Sequence, residues 1–260
     1  MDRKFWIKDF PQISILIFFV FNFFGMLFYS GGNMIDPSQV GYDFSYNFFS
    51  DLGSWKSHNG KLNIISFLLF NSSLALIGIC FSVLFYKIRN IFLEHKTLSL
   101  IATIFGIISG LLYVGVAFTP SDTPLDLFED SVGDPWLHIL VATWAFRFIV
   151  ITAILYAIII FKNENFDNKY AFGFIIFGLF VLMYVVYTWP PNGDTVYFLF
   201  DARPPEEIDL TVKVELDKYL LNLKKHVLAQ KTVVFWMLIS IYIYTLGLSK
   251  YILKKVILKK

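Results

Sequence analysis

The sequence predicts an all-α, polytopic membrane protein: a bundle of six transmembrane helices, with both termini cytoplasmic and an outer amphipathic helix in the fifth loop. Three observations lead there. Of 260 residues, 57% are hydrophobic and only 16% are charged, and the mean hydropathy is +0.62. That balance excludes an ordinary soluble domain. Six stretches reach the roughly 20 apolar residues that a helix rising ~1.5 Å per residue needs to cross a ~30 Å hydrocarbon layer. The Lys and Arg residues between these stretches favour alternate loops, as spanning helices require. With 30 Phe and 14 Tyr, the chain also has far too much apolar surface for a disordered or low-complexity class.

The spans are expected at 12–31, 62–86, 97–118, 137–161, 171–189 and 232–252, within one integral membrane domain over residues 1–260. Arg3, Lys4 and Lys8 precede the first, and Ser30, Gly31 and Gly32 end it. This outline resembles a secretory signal, but its apolar core exceeds the usual ~7–15 residues, so it reads as an uncleaved helix. The termini and even-numbered loops carry 13 Lys and Arg, counting Lys250 at the end of the last span, against 8 in the odd-numbered loops, with Arg147 alone deep inside a span. Because positive residues are retained on the cytoplasmic side, both ends of the chain are expected inside the cell membrane. The acids agree: 15 of 20 lie on the outer side, and the third loop holds Asp122, Asp126, Glu129, Asp130 and Asp134 with no Lys or Arg.

The inner loops are short and two outer ones are long. Loop 1, 32–61, has turn signals at Gly31-Gly32-Asn33 and Asp36-Pro37, then an aromatic run through Phe49 that suggests a segment lying in the interface. Loop 5, 190–231, opens with Pro190-Pro191-Asn192-Gly193 and turns again at Pro204-Pro205. Glu206 and Glu207 then suit a helix start, and Ile208, Val212, Leu216, Tyr219, Leu223 and Val227 recur every three or four residues. This is the amphipathic helix, expected either on the outer membrane surface or as a cap on the bundle. Tyr29, Trp136, Tyr187, Trp189 and Tyr251 read as interface anchors.

Two polar groupings call for an explanation. Arg147 sits ten positions into the fourth span, or ~15 Å deep. An arginine there costs about 2.5–3.5 kcal/mol on insertion scales, so it is expected to face the bundle. No span contains Asp or Glu; Asn22 and Asn71 fall at similar depth, with Ser72, Ser73 and Thr143 nearby. Arg147, Asn71 and Asn22 are therefore candidate ligand-binding residues, because a guanidinium without a protein acid suits a lipid phosphate or carboxylate. The second grouping is on the outer face: Ser50-Asp51-Leu52-Gly53 before the second span, Thr119-Pro120-Ser121-Asp122 after the third, and His138 opening the fourth. Asp51, Asp122 and His138 suit a divalent metal; with Ser50 they also suit acid–base hydrolysis. Helix capping accounts for Ser50, Asp51 and Asp122 equally well.

Other motifs fail on context. Asn71-Ser72-Ser73 matches a glycosylation sequon inside a span. His58, His95 and His226 lie in polar or charged stretches and read as solvated. The single Cys80 allows no intrachain disulfide. Haem, nucleotide and flavin signatures are absent, as are metalloprotease and nucleophile-elbow motifs. A net charge of +2 gives no basis for a nucleic-acid partner.

The ordered set of Ser50-Asp51-Leu52-Gly53, Phe70-Asn71 with Gly78 seven residues on, Phe118-Thr119-Pro120 with Asp122, and His138 resembles the prokaryotic six-helix membrane family catalogued as domain of unknown function 998. The resemblance covers roughly residues 12–190. It implies the same six-helix architecture and singles out Ser50, Asp51, Asn71, Asp122 and His138 without assigning chemistry. The chain departs from that pattern at Asp51, where Glu is more usual, at Arg147, and in the long segment before the last helix.

Three function classes follow. The first is binding, or also modification, of a membrane lipid or small amphiphile through the outward-facing polar site. The second is a non-catalytic scaffold or assembly factor, with a protein partner or a homo-oligomer. The third is a small-solute transporter, which intramembrane polar groups would favour but the lack of internal Pro in the second and fourth spans does not.

Overall fold

The computed structural model describes residues 4–120, 122, 136–188 and 213–257. A π-helical turn, Phe5–Asp9, runs into α1 (Phe10–Leu27); then come α2 (Ile64–Ile88), α3 (Lys96–Phe118), α4 (Trp136–Lys162), α5 (Phe172–Thr188) and α6 (Lys213–Ile257). Among the described residues there is no strand beyond one isolated bridge, Lys56 to Leu62. Among the described residues five helices are long and apolar enough to cross a membrane, and a sixth apolar helix over Asn168–Tyr184 is shorter. The expected second, third and fourth spans match α2, α3 and α4 to within two residues at each end. The first differs more: the helix begins at Phe5 and stops at Leu27, because Gly31 and Gly32 (φ 108° and 81°) turn the chain away.

The largest departure is at the C-terminal end. The amphipathic stretch and the sixth span are not two helices but one, of 45 residues. At 1.5 Å per residue this is ~67 Å long, about twice the hydrocarbon thickness. The reason is local: 213–246 contains no Pro or Gly, so nothing interrupts the helical ladder. The described part of the amphipathic face packs on loop 1. Leu223 and Val227 are buried against Phe48 of loop 1, with Tyr219 beside them. Ile208, Val212 and the turns at 190–193 and 204–205 lie outside the described residues, as do Ser121, Trp189 and the acids Asp126 to Asp134.

The helices close a ring: α1 on α2, α2 on α3, α3 on α4, α4 on α5, α5 on α6, and α6 back on α1. The interior is aromatic. Phe85 stacks on Tyr156 at 5.7 Å, Tyr156 meets Tyr244 at 5.4 Å, and Tyr244 meets Phe174 at 4.9 Å, so rings from α2, α4, α6 and α5 form one column. Aromatic pairs in such tilted or offset geometries add about 0.5–1.5 kcal/mol each beyond area burial. Tyr29 and Tyr251, expected as interface anchors, are buried instead; Tyr251 accepts a hydrogen bond from Asn163 Nδ2 at 3.1 Å.

Loop 1 folds as a cap over one end of the ring, with Asn47 and Asn63 fully buried. Asn47 Nδ2 donates to Gly32 O, and Asn63 Nδ2 donates to Leu52 O and Ser54 O. Two groups on α6 hold the cap down. Gln230 Oε1 accepts from Phe49 N at 3.0 Å, and Lys231 Nζ donates to Asn47 O. The Lys231 ammonium also lies 5.3, 4.9 and 5.6 Å from the ring centres of Tyr42, Phe44 and Phe49. Faces of aromatic rings attract a cation electrostatically, which offsets part of the cost of burying a lysine only 5% exposed.

Candidate functional site

The polar site forms at the capped end. Asp51 lies in the short 3₁₀ turn Ser50–Gly53, and Asn71 on α2 fixes that turn by donating to Gly53 O at 3.0 Å. Gly53 is required there: a Cβ would come 2.6 Å from the Phe70 ring and 2.9 Å from Asn71 Oδ1. Spacing that looked like a motif in the sequence thus has a steric cause.

Asp51 Oδ2 accepts from Asn47 Nδ2 at 3.0 Å and from Phe48 N at 2.9 Å. The same oxygen lies 3.3 Å from His58 Nε2, and the two side chains are 10% and 32% exposed respectively. The carboxylate is therefore sheltered while the imidazole reaches solvent. Asp122 closes the other side, its two oxygens accepting from Trp55 N at 2.9 Å and Lys56 N at 2.6 Å. His138 pairs Nδ1 with Thr119 O at 2.6 Å, so Nδ1 carries the proton and Nε2 is the ring's acceptor. The charges of Asp51 and Asp122 act on both imidazoles. Asp51, Asp122 and His138, three separate loop and helix ends in the sequence, thus belong to one electrostatic neighbourhood.

Burial disfavours a charge on His58, but its hydrogen bond to Asp51 and the charges of Asp51 and Asp122 outweigh that and raise its pKa above the ordinary 6.5. A raised folded-state pKa stabilises the fold fully below the unfolded value and loses that contribution as pH rises through the folded value. The cap is therefore expected to be tightest near pH 6 and to loosen toward pH 9. Thermal unfolding in detergent should show a melting temperature that falls over this range in the wild type and falls less in His58→Gln; equal slopes would remove His58 from the account.

A His whose proton is oriented by a buried carboxylate is equipped as a general acid or base. Among the described residues Ser50 forms no hydrogen bond with the His58–Asp51 pair, so nothing supports it as a nucleophile. Nor do three or more His, Cys, Asp or Glu side chains assemble in a geometry that could hold a metal.

The intramembrane grouping does not assemble. Asn22 Nδ2 donates to Phe18 O at 2.7 Å and to Ser73 Oγ at 3.3 Å, leaving its buried Oδ1 without a partner. Asn71 turns toward the cap. Ser72 is exposed and bonds Leu69 O. Arg147 does not face the bundle: it is exposed on the outside of α4, its guanidinium 4.9 Å from the centre of the Trp144 ring. It shares that face with Leu140, Ile151 and Ile154.

Sequence reading missed His58, Tyr29, Lys231 and His226. His58 and His226 are not simply solvated; His226 Nε2 lies 2.6 Å from Tyr184 OH and its ring packs edge-on against Phe48. His95 also departs from a solvated ring, its Nε2 being buried without a hydrogen-bond partner. Tyr29 is buried beside the same carboxylates, its hydroxyl toward the His58 backbone.

No family model, curated protein or solved structure matches the chain. The residues singled out by the resemblance, Ser50, Asp51, Asn71, Asp122 and His138, therefore rest on their own geometry.

Proposed function

We propose that this is an integral protein of the cell membrane, crossing it six times with both termini cytoplasmic, that binds the polar headgroup of a lipid or small amphiphile at its capped outer end. The Lys and Arg asymmetry supports the orientation. The 17-residue α5 is short by about one turn, a mismatch that local bilayer thinning absorbs. The observation that carries the binding reading is the His58 side chain, 32% exposed and held by sheltered Asp51, with the charges of Asp51 and Asp122 acting on both His58 and His138. Such a pair donates or accepts a proton toward a headgroup hydroxyl or phosphate, and so serves recognition and acid–base chemistry alike.

One observation favours assembly with a partner protein instead. Arg147 is exposed near the middle of α4, roughly 16 Å from the start of the helix, and a guanidinium in hydrocarbon costs several kcal/mol unless paired. A second copy of this chain offers no carboxylate at that depth, since none of its spans contains Asp or Glu, so this reading needs a partner helix with a carboxylate.

A native mass spectrum of gently extracted protein separates the two. The expected result is a set of lipid-mass adducts whose number falls by one in His58→Gln and not in Arg147→Leu. A lipid count unchanged in His58→Gln, or a bare chain, overturns the headgroup site; a protein-mass adduct lost in Arg147→Leu establishes the assembly reading.

A further inference from the structure

A cavity of about 320 Å³ lies at the opposite end of the ring, between the α4–α5 connection and the C-terminal third of α6. It is built rather than incidental. Tyr251 is buried and held by Asn163, and Phe92 from the α2–α3 connection stacks on Tyr251 at 5.7 Å. Gly247 makes room for Tyr170, whose ring a Cβ at that position would meet at 2.6 Å. The floor of the cavity is thus a rigid aromatic surface.

Its rim is basic. Lys250 and Lys254 line it from α6 with Lys169 from the connection, against the carboxylates of Glu164 and Asp167. Asp167 forms an ion pair with Lys169, and its charge also reaches Lys250. The three lysines of the rim still outnumber its two carboxylates by one. Lys250 and Lys254 are four residues apart, on one face of the helix and one turn from each other, and Lys250 Nζ lies 5.9 Å from the Tyr170 ring centre. Both are exposed, so the cavity opens where they stand. Its volume falls at the lower end of the range for small-ligand sites: room for a headgroup, not for an acyl chain. Beside it, Phe172 (55% exposed) begins the outward apolar face of α5, against which an acyl chain can lie.

We infer that this cavity is a phosphate site, taking the anionic headgroup of a phospholipid between Lys250, Lys254 and the Tyr170 ring. Basic pockets between helices at the cytoplasmic surface hold such headgroups, and anionic lipid is concentrated in that leaflet. The end concerned is the one with the basic loops, including Lys87, Arg89, Lys96 and Lys162. The site is independent of the His58–Asp51 pair, so its test stands whatever becomes of the outer end.

The full chain is reconstituted in phosphatidylcholine vesicles with and without phosphatidylglycerol, and retained lipid is counted by native mass spectrometry. Retention of phosphatidylglycerol is expected in the wild type and in Lys162→Gln. The Lys250→Gln/Lys254→Gln double variant should lose roughly 30-fold, at about fivefold for each lysine near an anionic surface. Both substituted residues are exposed, so folding is unaffected, which an unchanged melting temperature verifies. Competition by inorganic phosphate would assign the site to free phosphate rather than lipid, with the same lysines and ring. Unchanged retention in the double variant, or an equal loss in Lys162→Gln, overturns the proposal.

Discussion

Gly110→Val is expected to leave little or no folded protein in the membrane fraction. At this crossing α2 and α3 touch backbone to backbone. A Cβ on Gly110 would meet Ser82 Oγ, lie 2.5 Å from Gly78 O and 2.8 Å from Ser82 N; one on Gly78 would meet Gly110 O and lie 2.7 Å from Val114 N. Side chains can rotate away from an intruding atom, but main-chain atoms in two packed helices cannot without separating them. Overpacking ordinarily costs about 1–3 kcal/mol, and a clash with backbone on both sides should exceed that, a large share of the 5–15 kcal/mol of a typical fold. Small residues four apart, Gly78 and Ser82 on one helix and Gly106 and Gly110 on the other, are the means by which membrane helices approach closely when no hydrophobic effect drives them together. Gly178 is the control, since a Cβ there meets nothing within 4 Å. Size-exclusion profiles and melting curves in detergent should show Gly178→Val close to wild type and Gly110→Val aggregated or absent; a monodisperse Gly110→Val with a wild-type melting temperature would show that the crossing is looser than described.

What the sequence made legible, and what it did not, divides on the same physics. Helix positions follow from length and apolarity, which is why α2, α3 and α4 fall where expected. Which face of each helix points inward does not follow, because a membrane helix is apolar all round and its periodicity no longer separates core from lipid. Arg147 shows the consequence: depth could be counted from the sequence, direction could not, and the residue expected inside is outside. The site at the capped end was legible in part. The charges of Asp51 and Asp122 reach His138, and the order of loops and helix ends along the chain had put all three on one side of the bundle. Their partner His58 was overlooked since neighbours in sequence, Ser57, Asn59 and Lys61, suggested solvent, whereas the turns at Gly31 and Gly32 fold the loop back over the bundle. The continuity of α6 could have been read from the absence of Pro and Gly across 213–246.

Asp51→Ala is expected to cost about 3–5 kcal/mol and to abolish retention of the outer adduct. The carboxylate serves three donors, Asn47 Nδ2, Phe48 N and His58 Nε2. Alanine serves none of them. Each buried donor left unsatisfied costs about 1–3 kcal/mol, and a buried pair broken by removing one partner costs about 3–5 kcal/mol; the partial exposure of His58 argues against adding these in full. Asp51→Asn separates the structural from the electrostatic part. Its amide oxygen can still accept from Phe48 N, so the turn should hold with a loss of only about 1–2 kcal/mol, but the charge facing His58 is gone. The imidazole then lacks the group that raises its pKa, and the fall in melting temperature between pH 6 and pH 9 should flatten in Asp51→Asn as it does in His58→Gln. Asp122→Ala provides the comparison, because the two amide groups it releases, Trp55 N and Lys56 N, are exposed and can turn to water. Melting curves of the three variants at both pH values, with adduct occupancy measured on the same samples, should rank Asp51→Ala as the least stable. A result in which Asp122→Ala is the more damaging would move the centre of the site from the His58–Asp51 pair to the α3–α4 end of the cap.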